Sequence, residues 1–86
     1  MNEKDIITKI EKEISALTDE FNKDFDYMLL THVINLEFTM GKIFAYLDVL
    51  EDISIDSFVK VYETHKSLFN NVTAYVDKQY QVLRKV

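Results

Sequence analysis

The chain has 86 residues, no cysteine, no proline, one glycine and 48% hydrophobic residues. This length predicts one domain with a modest core, for which self-association is a common source of extra stability. The lack of cysteine excludes disulfides, thiolate nucleophiles and sulfur-ligated zinc. The near absence of glycine and proline removes the turn signals that sheets need, so we expect an all-α fold.

The net charge is −5, from fifteen acidic and ten basic residues, and Arg84 is the single arginine. Nucleic-acid binding usually needs a basic face with arginines, so we expect no nucleic-acid partner. Charged residues interrupt the most hydrophobic segment and no secretory leader is visible, which predicts a cytoplasmic protein with no membrane contact. Residues 1–26 carry eight acids and four lysines. They could meet a basic partner or simply form a solvated face.

The first helix is predicted over about 3–21, capped by Asn2. Its apolar stripe has alternating spacings of three and four, typical of a coiled-coil seam. The stripe comprises Ile7, Ile10, Ile14, Leu17 and Phe21, with Ile6 alongside. Residues 22–26 contain weak helix formers that predict a bend, with Asp24 or Asp26 capping the next helix. The alternative is one continuous helix over about 3–50, which would make the protein a long helical hairpin.

The second helix, about 27–50, is apolar on two sides. One face comprises Leu29, Val33, Leu36, Met40, Ile43, Leu47 and Leu50. The other comprises Tyr27, Leu30, Ile34, Phe38, Gly41, Ala45 and Val49. A helix with two apolar faces must be covered twice, and two neighbours within the chain need not cover both. The second face is therefore a candidate interface.

Gly41 lies on this second face, where a missing side chain would let another helix approach closely, although the glycine is also consistent with no packing role. Tyr46 and Tyr80 lie beside apolar faces and are candidate partner contacts, because tyrosine is favoured in protein interfaces. The predicted interface residues are Leu30, Ile34, Phe38, Gly41, Ala45, Tyr46, Val49 and Tyr80.

A turn is predicted at 51–54, with Ser54 capping a third helix over about 55–85. A heptad seam follows along that helix to the final residue, at Ile55, Phe58, Tyr62, His65, Phe69, Val72, Val76, Gln79, Leu83 and Val86. His65 and Gln79 are polar insertions that suit the fixing of register or oligomeric state. By phase, four aromatic residues are predicted to be core residues: Phe38, Phe58, Tyr62 and Phe69.

Residues 52–63 partly match a calcium-binding EF-hand loop, ending in Glu63, but Ser57 stands where the loop needs glycine. A calcium-responsive protein is therefore one alternative, and a capped helix start is the favoured interpretation. His32 lies on a polar seam near Asn35 and has no sequence neighbour that would complete a catalytic pair. Without a recognisable catalytic motif, we expect no enzyme activity, no cofactor and no metal.

These features together predict an all-α antiparallel three-helix bundle, or a long helical hairpin with heptad packing, that spans residues 1–86 and associates into a homodimer. The predicted function is a non-enzymatic interaction module, a small acidic regulator, inhibitor or adaptor that binds another protein. A structural scaffold that self-associates is the second alternative.

Overall fold

The computed structural model describes residues 2–23 and 29–85, which form three α-helices and no strand. Helix α1 spans Glu3–Phe21, α2 spans Leu29–Ile53 and α3 spans Ile55–Arg84. The longest dimension of the molecule is 45 Å. A helix of α3's length accounts for this dimension at about 1.5 Å per residue. The predicted all-α helical bundle is confirmed, whereas heptad packing and association into a dimer stay predictions.

Helix α1 begins as predicted, because the Asn2 side chain accepts a hydrogen bond of 2.8 Å from the Asp5 N–H. This bond satisfies one of the N–H groups that the first turn leaves without a helical partner. The buried residues of α1 are Ile6, Ile10, Ile14 and Leu17. Ile7 and Phe21 are only partly buried. The buried stripe therefore begins at Ile6, one position before the predicted Ile7.

Helices α1 and α2 run antiparallel. Glu20, near the end of α1, contacts His32 near the start of α2, and Glu13, two turns earlier in α1, contacts Lys42. The alternative of one continuous helix is therefore wrong. At the end of α1, Asn22 and Lys23 leave the helix as the predicted bend requires. Asp24, Asp26, Tyr27 and Val86, which carry other predictions, lie outside the described residues.

Helices α2 and α3 are joined by one residue, Ser54. Its N–H donates to the Leu50 carbonyl at 2.7 Å, while its side chain accepts from the Ser57 N–H at 3.3 Å. Ser54 therefore closes one helix and caps the next, as predicted for the cap. The predicted turn at 51–54 is too long, because 51–53 contain no glycine or proline and continue α2.

This arrangement favours the capped helix start at residues 52–63, and the calcium-responsive alternative stays a prediction. Asp52 belongs to α2, Ser54 is the cap, and the stretch from Asp56 to Glu63 belongs to α3. A calcium loop must wrap its carboxylate and carbonyl oxygens around one ion, and the continuous helix over residues 55–63 is not wrapped in this way.

The core lies where α1 and α3 both pack against α2. Helix α3 contributes its buried residues, Phe69, Val72 and Val76, from its middle only. Its first turns are more open than the seam predicted: Ile55 is exposed, and Phe58 and Tyr62 are partly buried. Phe38, also predicted to be core, points away from the bundle. The spacing of the apolar residues predicts correctly on which side of a helix they lie, but it does not predict whether another helix covers that side.

Candidate protein-interaction surface

The inner face of α2 forms the centre of the protein. Every residue of this face is buried or partly buried, and the buried side chains share one core with the neighbouring helices. The buried members are Val33, Leu36, Met40, Ile43, Leu47 and Leu50. The buried parts of the α1 and α3 stripes therefore all pack on one side of α2.

The opposite side of α2 carries an exposed apolar surface, which we call the outer α2 strip. It comprises Leu30, Ile34, Phe38, Gly41, Ala45 and Val49. The exposed fractions are 66% for Phe38, 52% for Leu30, 50% for Ile34 and 42% for Val49. Spacings of three and four residues place all six on one side of the helix. Between its first and last residue the strip extends about 28 Å at the standard helical rise.

A shallow hollow lies in the middle of the strip. It is lined by Ile34, Glu37, Phe38, Gly41, Lys42 and Ala45. Gly41 and Ala45 form its floor because their small side chains leave the backbone accessible. A Cβ atom added at Gly41 would meet no other atom of the described residues within 4 Å. The glycine is therefore not required by packing within the bundle.

Opposite charges stand on the two edges of the strip. On the edge toward α1, the Lys42 ammonium lies 4.9 Å from the Phe38 ring centre and 3.7 Å from a Glu13 carboxylate oxygen. On the edge toward α3, the Glu37 carboxylate accepts a hydrogen bond from the Tyr80 hydroxyl. This hydrogen bond, with desolvation and the carboxylate's charge as further causes, raises the pKa of Tyr80 above its ordinary value.

Six of the eight predicted interface residues therefore lie together on the outer α2 strip. Tyr80 lies beside the strip, where its hydroxyl donates a hydrogen bond to the Glu37 carboxylate. Tyr46 lies apart from it, partly buried against the core. The heptad pattern predicts Ile55 to be a seam residue and gives Val59 no role, yet both are exposed on the first turns of α3. Their i, i+4 spacing placed them on one face, but their exposure depends on where α2 ends.

Half of the acidic side chains of α1 make contacts within the protein. Three of its six acidic residues, Glu3, Glu13 and Glu20, make contacts to the other two helices. The exposed acids that remain, Asp5, Glu11 and Asp19, are interspersed with lysines. The described surface of α1 is therefore of mixed charge, which makes it a weaker docking surface for a basic partner than the residue count suggested.

His32 has a partner that lies twelve residues earlier in the chain. Its Nδ1 is 2.8 Å from one Glu20 carboxylate oxygen, and the Asn35 amide donates to the other at 3.3 Å. The Tyr75 ring packs edge-on against the imidazole at 5.8 Å, and burial raises the pKa of Tyr75. The imidazole is only 3% exposed. The pair joins α1 to α2, with its imidazole enclosed and its carboxylate partly exposed.

Two further features bear on function. Across residues 2–23 and 29–85, no cluster of three or more histidine, cysteine or acidic side chains is arranged to hold a metal ion. Over the same ranges, none of the helices combines the length and the apolar character that crossing a membrane requires.

The fold defines a class: a small all-α three-helix bundle with one apolar helix face left open. No family model matches the chain, and searches of curated proteins and of solved structures also returned no match.

Proposed function

We propose that this protein is a non-enzymatic protein–protein interaction module, a small acidic helical regulator, inhibitor or adaptor of the cytoplasm that acts through the outer α2 strip. The observation that carries the proposal is the exposure of Leu30, Ile34, Phe38 and Val49 along one continuous face. Small proteins rarely leave a contiguous apolar surface in water unless another molecule covers it.

The composition of the strip supports a protein partner. Its centre combines an aromatic anchor, Phe38, with aliphatic side chains and a small-residue floor, and the charged side chains of Glu37 and Lys42 flank this centre. An apolar centre with a polar rim is the usual anatomy of a protein interface. The burial of the His32 imidazole supports the non-enzymatic part of the proposal, because a general base must lie within reach of its substrate.

The experiment compares the wild-type protein with Phe38→Asp and with Ala16→Asp as bait in an affinity capture from the native host. Both substitutions add one negative charge to an exposed helix position, but Ala16 lies on α1, away from the strip. We expect the Phe38→Asp variant to lose its dominant bound chains, including any second copy of the protein, and the Ala16→Asp variant to keep them. Equal capture by all three proteins would refute the proposal.

A structural scaffold is the second candidate function, because a second exposed apolar pair exists. Ile55 and Val59 lie one turn apart at the start of α3. Two different self-complementary surfaces on one chain permit open assemblies instead of closed dimers. This candidate predicts species larger than a dimer that disappear in the Ile55→Asp/Val59→Asp double variant, as measured by light scattering at increasing concentration.

A further inference from the structure

The outer α2 strip contains both halves of a self-complementary contact. Phe38 projects from it as the most exposed large apolar side chain of the described residues, and Gly41, one turn away, opens the hollow. In coiled-coil packing, a projecting side chain enters a hole formed by four residues of the facing helix. Ile34, Glu37, Phe38 and Gly41 have the spacing of such a hole.

Gly41 supports close approach by another helix. A glycine inside a helix costs about 1 kcal/mol relative to alanine. No atom of the described chain lies where its side chain would be, so packing within the bundle does not offset this cost. A second backbone packed against the strip would occupy that space.

The edge charges indicate which molecule fits and in which direction. Glu37 and Lys42 are five residues apart, which places them on opposite edges of the strip. When two identical helices pair in parallel, opposite edges meet, so Glu37 of each chain faces Lys42 of the other. When they pair antiparallel, like edges meet, and the two Lys42 side chains approach each other. Such edge pairs set the orientation of paired helices.

We propose that the occupant of the outer α2 strip is a second copy of this chain, paired in parallel about a twofold axis, with Phe38 of each copy in the other's hollow and two Glu37–Lys42 pairs between copies. This inference rests on the proposed function, whose binding surface it shares. Asp48 and Asp52, further along α2, would repel their own copies in a parallel pair. A parallel pair therefore makes contact along the part of the strip from Leu30 to Ala45 and opens toward Ile53.

The orientation is tested by disulfide formation, for which the chain is suited because it contains no cysteine. A disulfide requires Cα atoms about 4.4–6.8 Å apart. In a parallel pair, position 34 lies opposite itself. In an antiparallel pair centred near Gly41, position 34 lies opposite Val49 instead. Mild oxidation should convert the Ile34→Cys protein to covalent dimer, and a mixture with the Val49→Cys protein should give little mixed disulfide.

The charge pairs are tested by light scattering across a hundredfold range of concentration. Glu37→Lys and Lys42→Glu should each weaken the dimer about tenfold, since two attractive contacts become repulsive. The double variant Glu37→Lys/Lys42→Glu should recover most of the wild-type affinity. Lys12→Glu, at an exposed position on α1, changes net charge as much as Lys42→Glu does and should leave the affinity within about twofold.

Three results would overturn the inference: a single-chain mass at every concentration, a mixed disulfide between Ile34→Cys and Val49→Cys as the main product, or no recovery in the double charge variant. None of these would by itself overturn the proposed function. A monomer whose capture of a different protein is lost in Phe38→Asp would keep that function and assign the strip to another partner.

Discussion

The two faces of α2 have nearly the same chemistry and opposite surroundings. The inner face is covered by α1 and α3, whereas Leu30, Ile34, Phe38 and Val49 on the outer face remain in contact with water. The hydrophobic effect acts equally on both faces, because it depends on apolar area and not on sequence order. The two faces differ because the described chain has two helices that pack against α2, and both lie on the same side of it.

Truncating one large side chain on each face of α2 should have very different effects on stability. Leu47→Ala on the inner face should lower the free energy of unfolding by about 2–5 kcal/mol, because it leaves a cavity in a closed core. Phe38→Ala on the outer face should change it by less than about 0.5 kcal/mol in dilute single chains. Urea denaturation at concentrations where light scattering gives one chain measures both values.

A larger loss of unfolding free energy for Phe38→Ala than for Leu47→Ala would contradict the assignment of the inner and outer faces. A cost above about 2 kcal/mol for Phe38→Ala in the monomer would mean that Phe38 is packed inside the chain. Ile34→Ala is the matched second probe of the outer face, since it lies one turn away and is half exposed.

The second prediction concerns the residues that fix which face points inward. His32 lies at the border of the inner face, and its contact with Glu20 ties the start of α2 to the end of α1. Glu20→Ala should lower the free energy of unfolding by about 1–3 kcal/mol, because it removes a hydrogen-bond acceptor from a buried polar side chain. Asp19→Ala, at the neighbouring exposed position, should cost less than about 0.5 kcal/mol. If urea denaturation gives equal losses of unfolding free energy for Glu20→Ala and Asp19→Ala, the His32–Glu20 contact adds no stability of its own.

Much of this architecture follows from periodicity. The two faces of α2, the caps Asn2 and Ser54 and the three-helix class were all predicted from local patterns. The pattern could not reveal that Phe38 is exposed while Phe69 is buried, since both have the right phase. Coverage depends on which helices are long enough to reach a given point, and this is a property of the whole bundle.

Contacts between residues that are far apart in the sequence could not be predicted from local patterns either. Glu20 and His32 are brought together by the antiparallel register of α1 and α2, and Tyr80 meets Glu37 by the register of α2 and α3. A one-turn shift of either helix would break these contacts without altering any apolar stripe. The prediction for the turn at 51–54 failed for a related reason: a serine cap can both end one helix and start the next, so no longer loop is needed.

The third prediction separates folding from association at Gly41. Gly41→Ala should raise the free energy of unfolding of the dilute monomer by up to about 1 kcal/mol, because alanine is the better helix former and a Cβ here meets no described atom. The same substitution should weaken self-association about fivefold or more, since the methyl group enters the space that a second helix would fill. Urea denaturation and light scattering on one sample measure the two effects. A gain in both would argue against close approach at Gly41.

The smallest predicted effect is the response to alkaline pH, which compares a tyrosine at the border of each face. Tyr80 donates to Glu37 beside the outer strip, and Tyr75 packs against His32 at the edge of the inner face. In both cases the folded state raises the tyrosine pKa above its ordinary value of 10.0. The folded protein thus holds these protons where the unfolded chain releases them, so their contribution to stability is complete below pH 10.0 and declines as pH rises through the raised values.

Tyr80→Phe and Tyr75→Phe should each make the decline in melting temperature above about pH 10 less steep, while Tyr46→Phe serves as the control with the same chemical change. Because the Tyr80 hydroxyl donates to the Glu37 carboxylate, Glu37→Gln should reproduce most of the effect of Tyr80→Phe and none of the effect of Tyr75→Phe. Identical slopes in all four variants would indicate that neither tyrosine is held in its protonated form by the fold. The Glu37 carboxylate would then be available to a facing Lys42 without competition from Tyr80.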